Sequence, residues 1–192
     1  FERVVQLEGE RGDEVKWRFK ALENLVVLKF KLGAYDEMAS RYAEMLTHAQ
    51  TVTRNECGDG VNAVLDALAD PQSQCSDEIM RKMFAITFSA LKSSSNERLW
   101  FNCNVKAGKL HLARGDHAAV RQVVDELKKS CQKPDGTDDS SKGTSLLEAY
   151  ALEISLCAAT RDARRMKRIY PRTLNLNAAV ADPRIMGVIR EE

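Results

Sequence analysis

The sequence is poor in the residues that build β-rich folds. It holds 4 prolines and 10 glycines in 192 residues, against roughly 12% for the two together in ordinary proteins. A sandwich or barrel needs more of both for its turns. No run of 18 apolar residues occurs, so no transmembrane helix is predicted. No charged-then-apolar leader opens the chain, so no secretory signal is visible. The first residue is Phe1 rather than Met, and an excised fragment is the expectation. The five cysteines, Cys57, Cys75, Cys103, Cys131 and Cys157, are odd in number and widely spaced, without a C-x-x-C pair. That pattern fits reduced thiols in a nuclear or cytosolic protein better than a disulfide framework. Charge of one sign is also lacking. Twenty-nine Lys+Arg against 28 Asp+Glu leave a net of +1, without the basic excess of a general nucleic-acid binder.

Catalytic and metal-binding patterns are missing too. There is no G-x-x-x-x-G-K-[ST], H-E-x-x-H or G-x-S-x-G. The cysteines and His48, His111 and His117 lack paired metal-ligand spacing, so no metal is expected. Asp135–Asp139 resembles a calcium loop only faintly, because the closing bidentate Glu is missing. Gly58-Asp59-Gly60 lacks the flanking residues of a phosphate loop.

What is present is helix-forming. Ala (22) and Leu (19) are abundant. Trp17, Ala21, Leu22, Leu25, Leu28 and Leu32 make an apolar stripe, interrupted by polar Lys20, Glu23, Asn24 and Lys31. Gly33 stops that helix. Asp36 lies near the start of the next, which carries Met38, Tyr42, Met45 and Leu46. The same layout returns at 105–125. There Gly108 allows a close neighbour, Gly115 ends one helix and Asp116 begins the next. A third unit turns near Arg161. Gly33 and Gly115 are 82 residues apart, twice 41, and Arg161 follows after 46. A further turn is therefore expected near residue 74, between apolar stretches at Val61–Leu68 and Ile79–Leu91.

A period of about 40 residues with paired helices marks an α-solenoid. The expected fold is all-α: a right-handed α-solenoid of stacked helix pairs, read as degenerate tetratricopeptide-like repeats because of the Gly33-x-Tyr35 and Gly115-x-His117 turns. One helical-repeat domain over 1–192 is expected. Its approximate repeats are 13–52, 55–92, 96–131 and 143–177, with 1–8 and 183–192 as parts of flanking repeats. Asn96 is a candidate N-cap, and the loop from Gln132 to Gly143 is expected to be mobile.

Two basic clusters stand out. One is Arg11, Lys16, Arg18 and Lys20. The other is Arg161, Arg164, Arg165, Lys167, Arg168 and Arg172, broken only by Asp162. Fixed cations at this density attract carboxylates, phosphates or an acidic protein surface. The alternatives are a solvated helix face and neutralisation of acids on a neighbouring repeat.

Several segments carry a resemblance. ERLWFNCNVKAGKL (97–110), KSCQKPDGTDDSSKGTSLLEAYALEISL (129–156), DPRIMGVIREE (182–192), WRFKALENL (17–25) and YAEMLTHAQTVTRN (42–55) resemble the COP9 signalosome subunit 2 family. The resemblance implies an N-terminal helical-repeat arm whose PCI and winged-helix module is absent here. It implies a non-catalytic scaffold of a complex that removes NEDD8 from cullin–RING ubiquitin ligases, with the zinc isopeptidase in another subunit. The implied partners are other signalosome subunits, a cullin and its RING protein, in nucleus and cytoplasm, with no direct nucleic acid or membrane contact. Inositol hexakisphosphate is implied as an interfacial glue. Lys20, in Phe19-Lys20-Ala21-Leu22, matches a basic position of the family, and so does Arg11 after Leu7-Glu8-Gly9-Glu10. Glu23 departs from the pattern, and Lys16 and Arg18 are the neighbours able to compensate. Partner contacts of the 161–172 cluster are expected as well. The related 26S proteasome lid subunit and a tetratricopeptide peptide-binding adaptor remain alternatives.

Overall fold

A computed structural model of the chain describes residues 1–11, 15–73, 75–92, 96–174 and 187. The expected repeat part at 183–192 lies outside them, apart from Gly187. The described helices are α1 (Glu2–Arg11), α2 (Val15–Lys31), α3 (Tyr35–Thr47), α4 (Arg54–Ala69), α5 (Asp77–Lys92), α6 (Glu97–Ala113), α7 (His117–Ser130), α8 (Gly143–Ala159) and α9 (Ala163–Leu174). Short 3-10 turns occupy Pro71–Ser73 and Ser140–Lys142. The first of them is the turn expected near residue 74. Among the described residues the only bridge of β type is the isolated pair Gln132–Asp138. None of these helices is long and apolar enough to cross a membrane.

Three of the turns share one construction. Gly33, Gly115 and Arg161 adopt φ of 73°, 75° and 54°. In each case the next N–H reaches back five residues: Ala34 to Lys29 at 3.0 Å, Asp116 to His111 at 2.9 Å, Asp162 to Cys157 at 2.8 Å. This is the Schellman closure, which satisfies carbonyls left open at a helix end. Helix starts are capped in turn. Thr53 and Glu56 form a reciprocal capping box. Asn96, Asp116 and Asp162 each accept a backbone N–H three residues on, at 3.2, 3.1 and 3.0 Å.

The chain divides into two compact units, Phe1–Trp100 and Phe101–Glu192, with the boundary inside α6. In the first unit α2 packs on α1, α3 and α4, and α3 packs on α5. Like helices of successive pairs therefore stack, as repeat architecture requires. The core includes Phe19, Leu22, Val26 and Phe30 of α2, Met38, Tyr42 and Met45 of α3, Val61, Val64 and Leu65 of α4, and Met80 and Met83 of α5. Each such side chain contributes about 1.5–3 kcal/mol by leaving water. The Tyr42 hydroxyl meets Thr87 Oγ1 at 2.8 Å inside this core, joining α3 to α5.

The expected stripe on α2 is corrected in part: its Ala21, Leu22 and Leu25 are buried. Trp17, Leu28 and Leu32 are exposed, whereas Glu23, expected to be a polar interruption, is buried. The buried arc centres on Phe19, Glu23, Val26 and Phe30, because three helices cover α2 and its covered face is broad. Trp17 and Leu28 lie on the opposite side.

In the second unit α8 packs against α7 and α9 and is buried along most of its length. A Cβ on Gly108 would stand 2.5 Å from Leu152 Cδ2 and 3.2 Å from Val123 Cγ1, so the glycine admits α7 and α8 side chains against α6. The loop from Gln132 to Gly143, expected to be mobile, is instead tied back. Lys133 N–H bonds Thr137 O at 2.8 Å, and Asp139 N–H bonds Cys131 O at 3.0 Å. The Tyr150 hydroxyl donates to Asp138 Oδ2 at 2.9 Å, and Lys142 Nζ to Ser130 O at 2.8 Å.

Candidate functional site

Arg11 ends α1 and Lys16 lies in the first turn of α2. Their side chains are outside the described part of the structure. Arg18 and Lys20, two residues apart on α2, point about 200° apart round the helix. Arg18 opens on a cavity of about 440 Å³ shared with Glu2, Val5, Gln6 and Arg41. Lys20 opens on another, of about 280 Å³, with Trp17, Glu23, Val52, Glu56 and Asp59. Neighbours in sequence are thus separated in space. Both are also engaged: Arg18 meets Glu44 at 3.0 Å, and Lys20 meets Glu23 at 2.7 Å. Burial opposes the Glu44 charge, but hydrogen bonds from Arg41 and Arg18 outweigh it and hold the carboxyl below its ordinary range. Burial, then repulsion from Arg18, pushes His48 down.

The second cluster splits differently. Arg165 turns inward, its Nε and terminal nitrogen reaching Glu153 Oε1 at 2.8 and 2.6 Å. Lys128 Nζ reaches the other oxygen at 3.0 Å. Glu153 is 1% exposed, so a buried carboxylate joins α7, α8 and α9. Arg172 faces the Tyr150 hydroxyl, which favours its charged form. Arg161, Arg164, Lys167 and Arg168 are exposed. Arg172 is exposed as well, so one of the six cations, Arg165, is drawn into the fold and five face solvent, four of them without a partner among the described residues. Neutralised acids are among the sequence expectations, but Glu153 is not named there. Its signal was a lone carboxylate inside the apolar run Ala149–Leu156.

Cys57, Cys103, Cys131 and Cys157 are buried, and no disulfide joins described cysteines. Burial pushes the thiols of Cys57, Cys131 and Cys157 up, which keeps them protonated and weakly nucleophilic. Among the described residues no group of His, Cys, Asp and Glu is placed to hold a metal.

No family model matches the chain. Over its whole length it is 39% identical, across 193 residues, to COP9 signalosome complex subunit 2 of Drosophila melanogaster. The subunit 2 proteins of Emericella nidulans and Neurospora crassa are 40% identical over 190 residues and 41% over 197, covering 98% and 100% of the chain. The chain spans 42%, 37% and 39% of these relatives' own lengths.

Proposed function

Because the chain belongs along its whole length to the COP9 signalosome subunit 2 family, we propose that it is a non-catalytic scaffold arm. It recognises the cullin and RING protein of cullin–RING ubiquitin ligases, so that another subunit can remove NEDD8. Other signalosome subunits are its neighbours, in nucleus and cytoplasm. The observation that carries this is the similarity itself, shared with relatives from several organisms and spread over the chain. Helix pairs supply the physical means, since stacked helices hold charges at fixed spacing on a broad surface.

Co-purification tests the reading. The chain should retain a cullin–RING ligase and leave a neddylated cullin uncleaved. Recovery of proteasome base subunits in place of cullins, or cleavage of the neddylated cullin, overturns it.

Inositol hexakisphosphate is proposed as the interfacial ligand of Lys20, with Arg11 and Lys16 as further candidates, because ammonium and guanidinium groups suit phosphates. Arg18, which points away from Lys20 and pairs with Glu44, is left out of that site. Glu23 competes for Lys20 from 2.7 Å. Titration calorimetry should therefore show tighter binding in Glu23→Lys, by roughly tenfold, and weaker binding in Lys20→Glu. Unchanged affinity in Lys20→Glu removes that residue from the site.

A further inference from the structure

The outward arc of α9 carries a row of cations that the fold does not use. Ile169 and Thr173 are buried on the inner side, where Arg165 also engages Glu153. Arg164, Lys167 and Arg168 occupy the opposite, exposed side, with Arg164 and Arg168 one turn apart, about 6 Å along the axis. Neither these side chains nor that of Arg161 makes an ion pair or hydrogen bond with a described residue.

Two features make this row unfavourable for the isolated fold. The first is backbone strain. Arg161 is the one non-glycine with positive φ among the described residues, at 54°. The same turn, with the same backbone hydrogen bonds, uses glycine at 33 and 115. A Cβ is opposed in this conformation and a glycine is not. Strain of this kind persists where a function requires the side chain. The second feature is electrostatic. Arg161 and Arg164 stand at the N-terminus of α9, the positive end of the helix dipole. No acid lies in its first turn, and the cap Asp162 is already occupied with Arg165 N–H. An acidic ligand would relieve the repulsion.

We propose that Arg161, Arg164, Lys167 and Arg168 form a docking surface for an acidic segment of a partner protein. This rests on reading the chain as a scaffold for protein partners, and it names the chemistry of one of them. The footprint is two helical turns. Four cations over that length match a short row of carboxylates, whereas a nucleic-acid track engages more phosphates. The net charge of +1 also lacks the long-range field such a track uses.

The test is fluorescence anisotropy of the whole chain with a labelled helical peptide carrying glutamates four residues apart, at rising salt. Binding should weaken with salt and fall roughly tenfold in the Arg164→Glu, Arg168→Glu double variant. Arg161→Gly should weaken binding several-fold while raising Tm by about 2–4 °C, because glycine relieves the turn. A merely structural arginine would not couple a gain in stability to a loss of binding. Unchanged peptide affinity in the double variant overturns the surface, and so does tighter binding of a duplex DNA of matched charge. The peptide assay uses no cullin. Its failure therefore counts against this surface alone, and failure to retain a cullin counts against the scaffold reading alone.

Discussion

Glu153 shows how one residue can redirect a whole cluster. Its carboxylate is almost fully enclosed, and both oxygens are occupied, by Arg165 and by Lys128. Lys128 also lies over the Tyr150 ring, 5.4 Å from its centre. Removing the acid leaves two partly buried cations facing each other. Glu153→Ala should therefore destabilise the protein by about 3 kcal/mol, read as a lower midpoint in urea unfolding. Glu153→Gln should cost less, because the amide oxygen still accepts a hydrogen bond. Glu23 is the matching case in the first unit, a buried acid that neutralises the neighbouring Lys20.

At the scale of the helix pair, the turn carries the repeat. Gly33 and Gly115 meet nothing within 4 Å of an added Cβ, so space does not explain them. The left-handed backbone does. Gly115→Ala should cost about 1 kcal/mol through φ alone, measurable as a drop in thermal midpoint without altered helix content. The pairs were legible in the sequence because their signals are local. Gly115 followed by Asp116 closes one helix and caps the next within two residues. Met38, Tyr42 and Met45 lie on one face whatever packs there. The stripe on α2 was not legible in the same way. Trp17 and Leu28 fit an apolar spacing as well as Phe19 and Val26 do. The choice fell to α1, α3 and α4, which cover the second set.

For the whole molecule, titration should produce a stability plateau bounded on both sides. His48 is depressed below 6.5 by burial and by Arg18. A base depressed in the fold contributes stability that is present above its unfolded pKa and lost as pH falls through the folded value. Glu44, lowered from 4.5, adds a second loss at still lower pH. The thiols of Cys57, Cys131 and Cys157 are raised from 9.0 by burial, so their contribution is lost as pH rises past that value. Urea midpoints should thus fall below about pH 6.5 and again above about pH 9. His48→Gln should flatten the first part of the acid limb. Charge is also unevenly divided. Residues 1–96 carry 12 basic and 15 acidic groups, and 97–192 carry 17 and 13, so the near-neutral total is a cancellation between halves. Composition, period and turn residues were enough, by themselves, to determine an all-helical chain of paired helices, because helix propensity, capping and left-handed turns act over a few residues. Which cations remain available was decided only by tertiary structure. Arg18 finds Glu44 at a separation of 26 residues, and Arg165 and Lys128 find Glu153 at 12 and 25. Ion pairing of that kind depends on which helix faces come together, and no local pattern records it.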